Sequence, residues 1–274
     1  MAADKIRLGG MALPNGVLVH GPTAWSCAIR TREGEVKVAA AKKRFRGSTV
    51  RNPLLRGPAR LAEALAILPE VRRRLPEARS PFEQPHVIAS VLGSAIVVRG
   101  LRSSNVRPAV QELLSGLLSI APAALALRGS ELTGYHGAEH VSIGSYEHGS
   151  RRPKEHERCG SHLVGPLLLT TALGNAVASR APAHARGPAR LAATVGAVAA
   201  STELFGWMAR NPGHRLSRAL ARPGHELQSR LSTSEPSDEQ LEVAEAALQA
   251  CLELETPRVP GASLGTAGRR AQHE

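Results

Sequence analysis

The stretch best equipped for chemistry is Tyr135-His136-Gly137-Ala138-Glu139-His140. On a helix, His136 and His140 stand one turn apart on one face, and two imidazoles so placed supply half of a zinc site. The order H-x-x-E-H is the inverse of the H-E-x-x-H zincin motif. Glu139 could act there as a general base beside a metal, or orient a ligating histidine. Sixteen residues beyond His140 comes His156-Glu157-Arg158-Cys159-Gly160, in which His156 and Cys159 can meet on one turn. Together His136, His140, His156 and Cys159 make a four-ligand set of three imidazoles and one thiol, with Glu147 a further candidate in the connection. Such ligands favour Zn2+ over Mg2+ or Ca2+. A set with one member missing leaves an open, catalytic position, whereas a full set makes a structural site.

Two other readings of the same residues stay open. Cys159 could be a nucleophile with His156 or His136 as its base, helped by the charge of Arg158. Without a metal, Glu139 would pair with Arg158 and the histidines would only hydrogen-bond. Cys27 and Cys251 read as small buried hydrophobes. Three widely spaced cysteines exclude a disulfide scaffold.

The elements that must position these residues are mainly helical. Of 274 residues, 42% are hydrophobic and only 3% aromatic, so any core is built of Ala, Leu and Val. The net charge of +12 is carried mostly by Arg. It could mark a nucleic-acid binder, but no such motif occurs and stacking aromatics are scarce. No Gly-rich phosphate loop with a Lys is present. The first ten residues are charged and no apolar stretch follows, so a cleavable signal peptide is not expected.

The N-terminal segment 1–57 reads as β. Residues 25–30 and 35–39 alternate around Thr31-Arg32-Glu33-Gly34, a hairpin signal. The basic run Lys42-Lys43-Arg44-Phe45-Arg46 reads as a solvated loop. Residues 58–209 read as a helical, membrane-embedded core. An amphipathic helix over 59–68 ends at Arg72-Arg73-Arg74. Four apolar stretches follow, 85–98, 108–127, 163–179 and 191–209, diluted by Gly, Ala, Ser and Thr. If all four cross a bilayer, both termini and 137–157 share the side that carries Lys42 to Arg46 and Arg151-Arg152, as the positive-inside rule asks. Arg180, Arg186 and Arg190 would then lie on the far side. Segment 210–255 reads as soluble, with Ser237 capping a helix over 240–253 whose Leu241, Ala244, Leu248 and Cys251 share a face. Residues 256–274 have the composition of a disordered tail.

The ordered motifs resemble the YqhQ-like family of bacterial membrane proteins, domain-of-unknown-function family 1385. The resemblance rests on Tyr135 to His140, Tyr146-Glu147, and His156-Glu157-Arg158-Cys159-Gly160. Gly9-Gly10-Met11-Ala12, Gly16-Val17, Gly21-Pro22, Trp25 and Arg30 match the opening of the family, and Arg56-Gly57 a further short motif. Arg222-Pro223-Gly224, Gln228, Thr233-Ser234-Glu235-Pro236 and Gln240 to Ala244 match its C-terminal block. The chain departs from the pattern at Asn15, where the family carries Glu, at Val141 for Lys and at Ser161 for Thr. Its segment between Glu147 and His156 is also shorter. The resemblance implies a multi-pass protein of the bacterial inner membrane and a metal-dependent enzyme. Its partners would be the lipid bilayer and a second copy or another membrane protein, with no nucleic acid.

Two functions follow from these residues. One is a membrane protein whose zinc site is structural and which acts in assembly or regulation. The other is a membrane-associated zinc hydrolase, with Glu139 as base, acting on a lipid-linked or membrane-protein substrate.

Overall fold

The computed structural model describes residues 5–80, 85–104, 106, 108–127 and 131–256. Four strands open the chain: β1 Gly9–Leu13, β2 Gly16–His20, β3 Ala24–Arg30 and β4 Val36–Lys42. They form an antiparallel meander in the order β1-β2-β3-β4. The expected hairpin is β3–β4, with Arg30 opposite Val36. A second hairpin precedes it, where Leu13 faces Gly16 across Pro14-Asn15.

The sheet is covered on both faces, which its residue types explain. In β3, Trp25, Cys27 and Ile29 alternate with Ala24, Ser26 and Ala28, and all six are buried. The large side chains, with Leu18 of β2, pack on Ile67 and Val71 of α1 Pro53–Arg74 and on Leu75 just after it. On the other face Val17, Val19 and Ala28 meet Val243, Ala244, Ala247 and Cys251 of α8 Asp238–Glu255, and Tyr135 and Ala138 of α4 Glu131–His148. Small residues on this face let α8 come close enough for the Ser26 hydroxyl to donate to the Ala247 carbonyl. Each large apolar side chain buried here stabilises the fold by about 1.5–3 kcal/mol.

Two expectations about the N-terminal third are corrected. The basic run is not wholly solvated: Lys43 is buried and donates to Glu63, to the Gly21 carbonyl and to His20 Nδ1. Burial of a cation is tolerable only with such partners. The first helix begins at Pro53, not near residue 58, because a proline fits its first turn.

The remaining helices are α2 Pro85–Ser103, α3 Pro108–Leu127, α5 Val164–Ala178, α6 Arg186–Arg210 and α7 Arg215–Leu227. The four stretches read as apolar spans are thus α2, α3, α5 and α6. α2 packs on α3, and α5 packs on α6, which also meets α1. These helices leave large apolar side chains bare, among them Ile96 at 71%, Leu191 at 68% and Val177 at 66% exposure.

Among the described residues, one helical stretch, Ala183–Arg210, is long and apolar enough to cross a membrane. The multi-pass expectation is not supported by length and composition. Arg99 and Arg102 interrupt α2, and the 15 residues of α5 span only about 22 Å at 1.5 Å per residue. The expected disordered tail lies, after Thr256, outside the described residues. The predicted C-terminal helix is α8, capped by Ser237 in a reciprocal box with Gln240.

Candidate metal centre

α4 carries the histidine pair at the middle of the molecule. Eleven of its residues are buried, since the sheet and α8 cover one side and the 149–163 segment another. Its C-terminus is set by Gly149, at φ +75°, whose N–H returns to the Ser145 carbonyl. Gly137 is needed for close approach: a Cβ there would lie 2.1 Å from the Ser234 carbonyl oxygen. Gly224 plays the same part for α7, which passes the backbone of Ser161 and His162.

The ligand atoms of His136, His140 and Cys159 all lie within 4.8 Å of one another. The two rings lie one helical turn apart, tilted at 59° to each other with centroids at 4.4 Å. His136 Nδ1 donates to the Ser232 carbonyl at 2.7 Å, and His140 Nδ1 to the Lys154 carbonyl at 2.6 Å. A carbonyl can only accept, so both hydrogens sit on Nδ1 and both Nε2 atoms are unprotonated, on the side where Cys159 lies. This is how metal-binding histidines are held in orientation. His136 Nε2 lies 3.5 Å from Cys159 Sγ. Cys159 is placed by the 3-10 turn Gly160–Leu163, where its sulfur accepts the Ser161 N–H. A thiol–imidazole nucleophile pair would share the 3.5 Å contact, but it needs one imidazole at the sulfur, and two are gathered here.

His156 does not join this group. Its Nε2 meets Glu147 at 3.3 Å and its Nδ1 accepts the Arg158 N–H, although its ring lies 5.5 Å from that of His140. The structure therefore brings together three of the four expected ligands. Nor does Glu139 pair with Arg158, which donates to Glu147 instead. Burial opposes ionisation of Glu147, but the hydrogen bond from His156 and the charges of Arg158 and His156 outweigh it and hold its carboxyl below the usual range.

Glu139 is 7% exposed and makes no hydrogen bond to any described residue. It lines a cavity of about 400 Å3 with His136, His140, Cys159 and the β1 residues Gly10 and Met11. Its carboxylate rests against Gly10, where a Cβ would come within 2.2 Å. Burial raises its pKa, and the neighbouring His136 and His156 only partly offset this. Burial likewise lowers the pKa of His140, keeping it neutral and able to ligate. Two unprotonated imidazole nitrogens and a thiol around a cavity are a donor set that fits Zn2+.

Two parts of the site, the Ser232 and Lys154 carbonyls, have no local signature in the sequence, and Gln228 is visible there only as a residue of the family resemblance. Gln228 is fully buried in a π-helical turn, Gln228–Ser232. Its side chain accepts the His156 N–H, donates to the Ser161 hydroxyl and contacts His162 Nδ1 at 3.2 Å. The Ser232 carbonyl at the end of that turn and the Lys154 carbonyl orient the rings of His136 and His140. Asn15, the departure from the family pattern, stands outside the cavity walls. Its amide binds the carbonyls of Arg30 and Glu77 and accepts the Arg79 N–H, a structural tie.

No curated protein and no solved structure matches the chain. Residues 128–254, which carry α4, the Cys159 turn and nearly all of α8, match the model of a family described as Protein of unknown function (DUF1385), and this supports the family-1385 part of the resemblance over those residues.

Proposed function

We propose that this chain is a membrane-associated, zinc-dependent hydrolase of the bacterial envelope. The observation that carries the proposal is a three-donor set, His136, His140 and Cys159, facing a cavity that also holds the unbonded carboxylate of Glu139. Three protein ligands with a position left over are the mark of catalytic zinc sites. Zinc held there would supply Lewis acidity to a substrate carbonyl or phosphoryl oxygen. Glu139 would accept the proton of an attacking water. Its raised pKa suits it to hold that proton and return it to the leaving group. The metal-dependent activity implied by the YqhQ-like resemblance agrees with this reading.

The packing supports a particular relation to the membrane. α4 lies against β1 and β2, and α8 lies against both α4 and the sheet. Segments 43–130 and 149–237 must therefore each return to the side from which they leave. α2–α3 and α5–α6 act as two helical hairpins that enter the bilayer and come back, with Arg180, Arg186 and Arg190 at the tip of the second. Their exposed Leu, Ile and Val side chains then face lipid.

A second reading, a closed structural site, rests on the His156 ring 5.5 Å from His140. Turning it inward would complete a set of three imidazoles and one thiol at the expense of its bond to Glu147.

Metal analysis and cobalt spectroscopy on detergent-purified protein test both. One zinc per chain is expected, lost in His140→Ala and Cys159→Ala and kept in Glu139→Gln. The cobalt-substituted protein should show a thiolate charge-transfer band, and its visible spectrum should shift when a hydroxamate is added. Absence of bound metal would end both readings. A hydroxamate-insensitive spectrum would replace the hydrolase with the structural site.

A further inference from the structure

A cleft of about 750 Å3 adjoins the metal cavity, and His156 and Arg158 line both. Its lining mixes two characters. Phe205 and Met208, in the last two turns of α6, and Ile6 are apolar. Several other lining residues are cationic. The acids that border the cleft are already matched: Glu147 by Arg158 and His156, Glu157 by Arg152 at 3.8 Å, and Glu155 by Lys154 at 3.7 Å. Arg7 and Arg218 also line the cleft, and neither guanidinium has an acidic partner among the described residues. Lys5 also lines the cleft, with its ammonium on the Tyr146 carbonyl. The cleft thus presents surplus positive charge together with apolar side chains. It lies at the C-terminal end of Ala183–Arg210, the stretch long and apolar enough to cross a bilayer.

We infer that this cleft binds the phosphate headgroup of an anionic amphiphile, with Arg7 and Arg218 on the phosphate and the acyl part along Phe205 and Met208. Guanidinium forks suit phosphate oxygens, and apolar side chains in the same cleft select a phosphate that carries a hydrocarbon chain. That this amphiphile is a substrate rests on the proposed metal centre; that it binds does not.

The test uses full-length, zinc-loaded protein in non-ionic detergent. The probes are dioctanoyl phosphatidic acid, inorganic phosphate and dioctanoylglycerol, and zinc per chain is read in the same samples. Phosphatidic acid should bind, inorganic phosphate should compete at least about 10-fold more weakly, and dioctanoylglycerol should not bind. Both arginines are exposed, so Arg7→Gln/Arg218→Gln should fold. It should weaken phosphatidic acid binding by about 10-fold or more with zinc content and Tm unchanged. Equal affinity in the double variant, or none in the wild type, would overturn the inference. Inorganic phosphate binding as tightly as the lipid would assign the cleft to a free phosphate compound and overturn the lipid. Failure of lipid binding with zinc in place would sink this inference alone, and lipid binding without zinc would sink only the metal centre.

Discussion

At the scale of single residues, the molecule keeps ionisable groups in states that their positions impose. His20 shows this in the wall of the cavity that the histidine pair faces. Burial, then the charge of Lys43, lowers its pKa to about 4, with Glu63 and Glu255 opposing more weakly. Its Nδ1 receives the Lys43 ammonium at 3.0 Å, which requires a neutral ring. A base whose pKa falls on folding binds its proton more readily in the unfolded chain. Its contribution is therefore complete above pH 6.5 and is lost as the pH falls toward 4. The shift corresponds to at most about 3 kcal/mol. Denaturation of the wild type should ease across that window, and His20→Gln should flatten the profile there. An unaltered slope in the variant would mean that other groups govern acid stability.

At the scale of elements, the site depends on a turn that touches no proposed ligand directly through a side chain. The π-helical segment Gln228–Ser232 supplies both the buried amide that braces the 156–162 backbone and the carbonyl that orients His136. π-turns are rare and often accompany functional sites. Gln228→Ala should lower zinc affinity by about 10–100-fold, the usual cost of losing an orienting partner. Chelator competition measures it, and unchanged affinity would reduce Gln228 to a packing role.

Periodicity made much of the surrounding architecture legible. The β3–β4 hairpin, the four apolar helices, the Ser237 cap and the meeting of His136 with His140 all follow from local pattern. The rest depended on distant partners. Nothing near Lys43 announces that Glu63 will bury it. Only the folded 149–163 segment turns His156 toward Glu147 and leaves Cys159 facing the histidines. β1 and β2 were hidden by glycines that serve close approach to Glu139 and His20 rather than turns.

At the scale of the whole molecule, a well-packed body and a set of underpacked helices are joined. The sheet, α4 and α8 bury their apolar faces and α1 buries Ile67 and Val71, whereas α2, α3, α5 and α6 leave large apolar side chains bare. Bare apolar helices of this extent need lipid or another partner. The expressed chain should remain in the membrane pellet after alkaline carbonate washing. Ser150→Cys and Ser237→Cys, both at exposed positions, should be labelled from the same side of sealed vesicles. Release into the wash, or labelling from opposite sides, would refute the paired-hairpin arrangement.

The clasp between α8 and the sheet has a consequence for synthesis. Glu255, at the end of α8, accepts the N–H groups of Thr23 and Ala24 at 2.6 Å across more than 230 residues. On the ribosome, β2 and β3 emerge first and wait with one apolar face uncovered until the last helix is made. At about 5–20 residues per second that interval is roughly 10–50 s. Both hairpin segments emerge within it. The sheet therefore keeps one apolar face uncovered through most of the chain's synthesis, and the body closes only once α8 has been made.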